Sequence, residues 1–508
     1  MISRIACPHS HARRRRRFAT SAAVLLLLLV STTAAAQEPS ARQLRAGAAT
    51  SNITPPLGEL IVGGWSPTPA THIHDELHAR CLVLDDGQSR IAIVLVDNVG
   101  VLRNVLDHAK RLASKRSGLP AERILVASTH THSASTARGT NPYDDTAPLD
   151  DYQTFLAGRI ADGIQRAVNN LAPAQIGWGS GRLQEQVFNR RWFMKPGADL
   201  SNPFGGTDKV RMNPTVGDPN LLKPAGPTDP EIRFLAVRSI EGHPIALLAN
   251  YSLHYVGGVP NGHISADYFG AFAERMSHLL NVEEQDPPFV AMLSNGTSGN
   301  INNIKFTGGQ KRLPPYGRMS LVANQVAAEV FRGLQDIEYH DWVPLTMIQR
   351  ELTLENRRPT GAMVARAKEI LARPEDAPEN HPRERIYADR ILRLRDAPPH
   401  VDILLQTLRI GDLAIAAIPF EVFVEIGLEL KERSPIPDTF TVSLANGAHG
   451  YLPTVQHHAL GGYETWLGTN RVEVQAAPKI VATLLTMLDQ LEGRASNPRG
   501  PKDERSAR

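Results

Sequence analysis

The chain contains very little cysteine, with only Cys7 and Cys81 among its 508 residues. Cys7 falls in an amino-terminal segment that we expect to be removed, which leaves Cys81 alone and excludes an internal disulfide. A chain of this length can bury a large apolar core without a cross-link. The sequence therefore predicts a fold that is stabilised by its hydrophobic core.

Long apolar runs are also missing, apart from one near the amino end. A basic stretch at 13–17, an apolar run at 22–30 and small residues at 34–36 follow one another as in a secretory signal. We expect a signal peptide at 1–36, cleaved near Ala36, and a secreted or periplasmic protein exported by the general or the twin-arginine route. An uncleaved anchor helix is the alternative. No other run is long enough to cross a bilayer, which leaves peripheral membrane contact open.

The remainder of the chain lacks an excess of positive charge. The full sequence has 55 basic and 52 acidic residues, and the signal peptide contains 6 of the bases and none of the acids. The net charge after cleavage is therefore −3. The basic character belongs to the targeting segment, so no nucleic-acid partner is expected.

Composition divides the rest of the chain into a linker at 37–47, one domain at 48–491 and a charged tail at 492–508. The tail has almost no apolar residues and is expected to be disordered. Within the domain, 360–397 has the pattern of two charged amphipathic helices joined by a proline-containing turn. We interpret it as a helical insertion, either on the surface or acting as a lid. Two ordinary solvated helices are the alternative.

Strand-like apolar runs alternate with helix-like segments through most of the domain. Runs of this kind begin near residues 90, 124, 243, 288 and 413, and several end in polar turns. Continuous apolar strands alternating with helices favour an α/β fold, with a mixed, largely parallel central sheet flanked by helices. Functional groups in such sheets gather at the carboxyl ends of the strands, so we expect the active site there.

Two histidines, His130 and His132, follow the apolar run at 124–127. Alternate residues of a strand share a face, so both side chains are expected to point the same way off the end of the sheet. That arrangement suits a metal ion, a charged transition state, or neither.

Other apolar runs lead to His254, to Glu421 and to a segment with His449 and Tyr451. Zinc binds imidazole nitrogen and carboxylate oxygen, so two histidines and a glutamate at strand ends could form a catalytic site. These residues are far apart in the sequence, and spacing alone does not distinguish them from surface or core histidines. A rival cluster, interpreted mainly as the entry to a strand, consists of His72, His74 and His78.

Several short motifs are similar to those of the neutral/alkaline, non-lysosomal ceramidase family. They are AGAATSNITPPLG, IHDELHARCLVLDDG, ASTHTHSA, FNRR, HYVGG…ISADYFG, SGNIN, IPFEVFVEIG and NGAHGYLPT…GGYE. As a set, they make residues from about 47 to 491 resemble the amino-terminal catalytic domain of that family. The resemblance implies an amidase that uses zinc to cleave the N-acyl bond of ceramide.

The resemblance also implies one Zn²⁺ ion per chain and a set of ligands for it. By their motifs, the implied ligands are His130, His254, Glu421 and Tyr451. The motifs likewise imply catalytic positions outside this ligand set. His132 corresponds to a group that contacts the substrate amide, Arg190 to an arginine near the scissile group, and Tyr463 to a second active-site tyrosine. Gly64 matches a glycine that brings backbone close to the substrate.

The sequence departs from the family pattern in the segment SGNINNI, at 298–304. The serine of the family motif is replaced by Asn302, which cannot act as a nucleophile. Either metal-activated water attacks directly at this site, or Ser298 has taken over the role; we favour water because zinc makes a serine unnecessary. A turn that binds only backbone is the alternative for this loop. We also expect the carboxy-terminal β-domain of the family to be missing, and fewer tyrosines point to a less lipid-like substrate.

These observations lead to three hypotheses of function. The first is a secreted zinc-dependent amidohydrolase of the ceramidase type, acting on a small-molecule or lipid N-acyl substrate. The second is a hydrolase of the same superfamily that acts on a carbohydrate-derived or peptide ester or amide. The third is a secreted binding protein that lost catalysis. A long apolar groove leading to His132 favours the first, a short polar pocket the second, and absence of bound zinc the third.

Overall fold

Two β-sheets packed face to face form the centre of the molecule in a computed structural model, which describes residues 42–139, 143 and 146–496. The strands in chain order are β1 Arg45–Asn52, β2 Leu60–Ile61, β3 Thr68–Pro69, β4 His72–Ile73, β5 His78–Asp85, β6 Arg90–Val96, β7 Ile124–Ser128, β8 Ala172–Arg182, β9 Phe188–Asn189, β10 Arg191–Met194, β11 Val210–Met212, β12 Leu221–Pro224, β13 Glu231–Ser239, β14 Pro244–Tyr251, β15 His263–Ile264, β16 Val290–Asn295, β17 Ile301–Asn302, β18 Leu345–Glu355, β19 His400–Ile410, β20 Leu413–Ile418, β21 Glu421–Val422, β22 Asp438–Ser443 and β23 Tyr451–Leu452.

Helices cover the outer faces of these two sheets. The α-helices are α1 Arg103–Ser117, α2 Asp151–Asn169, α3 Asp267–Leu280, α4 Gly317–Gly333, α5 Gly361–Ala372, α6 Glu384–Arg395, α7 Val424–Arg433, α8 Val455–Leu460 and α9 Ala476–Ser496. Short 3-10 helices occupy Ala121–Arg123 and Tyr463–Thr465.

The larger sheet has eight strands in the order β16-β14-β13-β8-β1-β5-β6-β7. Only the two outermost pairs, β14 with β16 and β6 with β7, run parallel. The five pairs between them are antiparallel. The smaller sheet, β18-β19-β20-β22, is parallel only between β20 and β22.

Alternation along each strand explains how the layers pack. In β6, Ala92, Val94 and Val96 pack with α1 and α2, whereas Ile91 and Ile93 face the core between the two sheets. Successive side chains of a strand point to opposite faces, so each strand contributes to two cores. Helices α3 and α4 cover the other half of the same face, and α7 and α9 cover the outer face of the smaller sheet. The result is a four-layered helix–sheet–sheet–helix fold.

The expected mixed α/β fold is confirmed, but the expectation of a largely parallel sheet is wrong. Every residue of β20 is buried, and its two faces contact the larger sheet on one side and α7 and α9 on the other. A continuous apolar run indicates that both faces of the strand are buried. A face can be buried by a second sheet just as effectively as by a layer of helices. The direction of neighbouring strands therefore could not be deduced from that pattern.

Several segment boundaries differ from those expected. The first strand begins at Arg45, inside the range assigned to the linker, because Leu44 and Ala46 are fully buried in the core. Helix α9 continues to Ser496, past the expected domain end at 491. The 360–397 segment contains α5 and α6, which pack against each other around a small apolar cluster. The segment expected to be a signal peptide, 1–36, and the part of the expected tail beyond Ser496 lie outside the described residues.

No helix in the described part of the chain is both long enough and apolar enough to cross a membrane.

Candidate metal centre

Three histidines from two segments of the chain meet at one buried point. His130 follows the end of β7, His132 lies two residues further, and His254 follows the end of β14. The Nε2 atom of His130 lies 3.1 Å from the Nε2 atom of His254 and 3.1 Å from that of His132. Ligand atoms of all three side chains fall within 4.8 Å of one another, a spacing that could hold a metal ion.

The opposite nitrogen of each ring is bound to a backbone carbonyl. The Nδ1 atom of His130 lies 2.6 Å from the carbonyl oxygen of Val99, and that of His132 lies 2.7 Å from the oxygen of Gly63. The Nδ1 atom of His254 lies 3.1 Å from the carbonyl oxygen of Ser298. A carbonyl oxygen can only accept, so each Nδ1 carries the hydrogen, and in the neutral rings each Nε2 presents a lone pair to the shared point.

A carboxylate completes this cluster. The Oε2 atom of Glu421 lies 3.3 Å from Nε2 of His130 and 3.8 Å from Nε2 of His254. This oxygen is buried and has no hydrogen-bond partner among the described residues. Burial alone would raise the pKa of Glu421, but His130, Arg138 and Tyr451 outweigh it and lower the pKa to about 2. Glu421 is therefore ionised at neutral pH.

Tyr451 stands beside Glu421 because the short strands β21 and β23 pair in parallel, with these two residues in register. Tyr451 is one of the groups that lower the pKa of the Glu421 carboxylate. Burial raises the pKa of the Tyr451 phenol well above its ordinary value. This two-stranded pairing explains how residues thirty positions apart reach the same point.

The donor set fits a cation. The Nε2 atoms of three imidazoles and an unpartnered carboxylate oxygen converge in a buried space, and positive charge at that point would stabilise the arrangement. Burial, followed by the nearby His130, lowers the pKa of both His132 and His254 well below the ordinary value, so both rings are neutral at neutral pH. Neutral imidazoles with one nitrogen anchored on a carbonyl are the usual ligands of zinc.

A buried ion-pair network supports the phenol of Tyr451. The Nη2 group of Arg190 donates to the Tyr451 hydroxyl at 3.0 Å, and its Nε group donates to Oε1 of Glu464 at 3.0 Å. The other carboxylate oxygen of Glu464 accepts from Arg191, which is fully buried. Arg190 thus contacts a candidate ligand directly and is held in place by Glu464.

Tyr463 lies at the edge of this network. Its ring centroid is 5.6 Å from that of Tyr451 and 5.5 Å from that of Trp65, both in edge-on contact. Burial raises the pKa of its phenol to about 12, so Tyr463 is a neutral hydroxyl that can donate a hydrogen bond.

The loop that replaces the family's serine motif makes a different set of contacts. Asn302 donates to the side-chain oxygen of Asn213 at 2.8 Å and accepts from the amide of Ile304 at 3.0 Å. The hydroxyl of Ser298 donates to Asn295 at 2.7 Å and lies 3.4 Å from Nδ1 of His254. It is therefore on the side of the His254 ring that faces away from the shared point.

The rival histidine cluster does not reach this point. His72 contacts His263, and His74 stacks on Tyr316 at a centroid distance of 3.6 Å. Within the described residues, no other group of three histidine, cysteine or carboxylate side chains has its ligand atoms as close as the cluster at His130.

The rings of His130 and His132 do lie together, but the expected cause, alternation along a strand, is wrong. Strand β7 ends at Ser128, and His130 has a φ of 75°, in the left-handed region that non-glycine residues seldom adopt. The turn at His130, rather than strand alternation, brings the two rings together. A strained backbone conformation persists where surrounding contacts hold it in place. Here the hydrogen bond between Nδ1 of His130 and the carbonyl oxygen of Val99 is such a contact.

Sequence reasoning missed three contributors to the site. The ring of Tyr255 stacks on His132 at 3.7 Å, and Glu464 anchors Arg190. A Cβ on Gly63 would lie only 1.8 Å from the His132 carbonyl oxygen, so this position requires glycine, whereas a Cβ on Gly64 would meet only the Ser66 carbonyl oxygen, at 4.0 Å. Tyr255, Glu464 and Gly63 each lie next to a residue that the motifs had indicated. Their position beside these residues in the sequence was therefore the available signal.

Together, the fold and the site define a class: a four-layered α/β protein with a buried histidine–glutamate cluster that could hold a metal ion where several strands end. Residues 44–309 match the family described as neutral/alkaline non-lysosomal ceramidase, N-terminal. The chain belongs to this family, which confirms the resemblance seen in its motifs and supports a hydrolase that acts on amide bonds.

Solved structures share the fold. The crystal structure of neutral ceramidase from Pseudomonas aeruginosa is 18% identical, with a TM-score of 0.65 over 89% of this chain and 75% of that one. A ceramidase complexed with C2 is 17% identical, with a TM-score of 0.66 over 89% of this chain and 76% of that one.

Proposed function

We propose that the chain is a secreted, zinc-dependent amidohydrolase that cleaves an N-acyl bond. The observation that carries this proposal is the convergence of three imidazole Nε2 atoms with the unpartnered Oε2 atom of Glu421. In the proposal, His130, His254, Glu421 and Tyr451 hold one zinc ion. Bound zinc supplies Lewis acidity for the scissile carbonyl and lowers the pKa of a water molecule to about 7.

The protein's own groups then move protons and orient the substrate. With its Nδ1 hydrogen held by Gly63, His132 offers the lone pair of Nε2 as a base for the attacking water. The same nitrogen can return the proton to the leaving amine. Tyr463 donates a hydrogen bond to the developing oxyanion. Arg190 keeps the Tyr451 phenol oriented, and Tyr255 keeps the His132 ring in plane by stacking.

A second candidate is the same hydrolysis on a substrate that is not ceramide. The observation that favours it is a cavity of about 370 Å³ beside Tyr463, whose walls include Asp199, Asp208 and Arg211. A long alkyl chain gains little from such walls, because charged groups would lose hydration on contact with it.

The test is an amidase assay on the zinc-supplemented protein with N-acylsphingosines and short N-acyl amines. His130→Ala is compared with His278→Ala, since His278 is an exposed histidine paired with Glu283. We expect turnover by the wild type and by His278→Ala, and loss of about 1,000-fold or more in His130→Ala. No turnover of any amide by the wild type would instead leave a binding protein of the same fold.

A further inference from the structure

The helical insertion contributes a wall to the cavity beside Tyr463. The loop between α5 and α6 supplies His381, Pro382 and Arg383, while Trp65 and Tyr463 form the side nearest the metal centre. The cavity therefore lies between Tyr463, a candidate catalytic residue, and the helical insertion, which has no role in the proposed mechanism.

Arg383 is held there by stacking instead of by an ion pair. Its guanidinium carbon lies 3.6 Å from the centroid of the Trp65 ring, and Trp65 in turn meets Tyr463 edge-on. No carboxylate pairs with the Arg383 side chain among the described residues. Stacking uses the face of a guanidinium and leaves the N–H groups at its edge available, in the geometry that suits a carboxylate or phosphate.

The acidic groups of the same cavity are already engaged. Asp208 accepts from the indole of Trp466 at 2.8 Å and from the amide of Asn202 at 3.1 Å. Asp199 accepts from the backbone amide of Ser201 at 2.9 Å.

A second guanidinium in the cavity wall is also available for hydrogen bonding. Arg211 makes no side-chain hydrogen bond within the described part of the chain, although it attracts Asp199 electrostatically. The unused hydrogen-bonding capacity of the Arg383 and Arg211 side chains is cationic and donating, so it suits an anionic group.

We propose that this cavity binds an anionic oxygen group of the substrate and that Arg383 determines this specificity. The inference rests on the proposed amidase function and narrows its substrate to N-acyl amides that carry a carboxylate or a phosphate beyond the scissile bond. The loop between α5 and α6 is then a recognition element for that group, with Trp65 as the platform that orients it.

The test compares matched substrates on the zinc-loaded protein. Each N-acyl ω-amino acid in a series of increasing length is paired with the N-acyl amino alcohol of the same length, and a phosphate ester of that alcohol is the third member. Wild type is compared with Arg383→Gln and with Arg395→Gln, an exposed arginine of α6 paired with Asp396.

We expect kcat/KM to favour an anionic member by about tenfold or more at one length in the wild type and in Arg395→Gln. In Arg383→Gln the preference for the anionic member should vanish because the KM for that member rises, while turnover of the neutral amide is kept. A merely structural role of Arg383 would not produce this selective effect. The faster of the two anions identifies carboxylate or phosphate as the group. Equal kcat/KM values for the charged and neutral members in the wild type would overturn this inference but would leave the proposed amidase function standing. Failure to hydrolyse any amide overturns the proposed function and the inference with it.

Discussion

The Nε2 atoms of His130 and His254 face each other at 3.1 Å, while the Nδ1 atom of each ring is bound to a backbone carbonyl. A ring held in this way has no hydrogen on Nε2 when it is neutral. A positive charge between the two Nε2 atoms therefore stabilises their close approach. The buried Oε2 atom of Glu421, which lacks a hydrogen-bond partner in the described residues, points to the same requirement.

Glu421→Gln should weaken zinc binding by about 100-fold or more, because the amide keeps the shape of the side chain but removes its negative charge. Zinc affinity is measured by competition with a chelating dye. Glu429→Gln is the matched control, since Glu429 is on the surface of α7 and pairs with Arg433. Equal zinc affinity in the two variants would show that Glu421 is not a ligand.

Gly63→Ala should impair catalysis strongly, since the added Cβ would lie 1.8 Å from the carbonyl oxygen of His132. The backbone would have to move, and the carbonyl of Gly63 that orients the His132 ring would move with it. We expect a fall in kcat of about 100-fold. Gly158→Ala, on α2 with open space around the new Cβ, should leave kcat unchanged. Wild-type kcat in Gly63→Ala would contradict a role for the ring orientation.

Ser298→Ala should keep amidase activity within about tenfold of the wild type. The Ser298 hydroxyl is directed to Asn295 and lies near Nδ1 of His254, away from the converging Nε2 atoms. A nucleophilic serine would instead be essential, with a loss in kcat of many orders of magnitude. Steady-state kinetics on a short N-acyl amide separates the two outcomes, and an inactive, folded Ser298→Ala protein would favour covalent catalysis.

Glu464→Gln should lower the free energy of unfolding by about 3 kcal/mol at neutral pH, because it removes the charged carboxylate that pairs with the buried Arg190 and Arg191. Burial alone would raise the pKa of Glu464, but the two arginines lower it below 4.5. The stabilisation is fully present above pH 4.5 and is lost as the pH falls through the lower pKa of the folded state.

Denaturant titrations of wild type and Glu464→Gln over a range of pH check this prediction. The difference in unfolding free energy should be constant near neutral pH and should shrink as the solution becomes more acidic than pH 4.5. A difference that does not change with pH would indicate that lost packing, and not lost charge, destabilises the variant.

Sequence patterns predicted the principal elements because each has a local cause. Helix-like segments were expected between the strand-like runs, and helix α1, Arg103–Ser117, follows the run near 90, whereas helix α2, Asp151–Asn169, follows the run near 124. The latter begins with a capping box, in which Asp150 and Gln153 satisfy each other's backbone amides. Strand direction and the second sheet could not be predicted, since both depend on long-range packing that apolar periodicity does not encode.

The site was predictable by residue type but not by geometry. Strand-end positions and family motifs indicated His130, His254 and Glu421, and the structure brings them together. The left-handed turn at His130 could not be predicted from the sequence, because the preference of histidine for a positive φ is too weak to indicate one. Trp65 and Arg383 meet across more than three hundred residues, a contact that no local pattern could indicate.

The most direct measurement is the zinc content of the purified protein, for the wild type beside His254→Ala and the exposed-histidine control His278→Ala. We expect about one zinc per chain in the wild type and the control and none in His254→Ala, with the same circular dichroism spectrum in all three. A wild-type protein that binds no zinc even after reconstitution, or a His254→Ala protein that retains it fully, would contradict the metal centre described above.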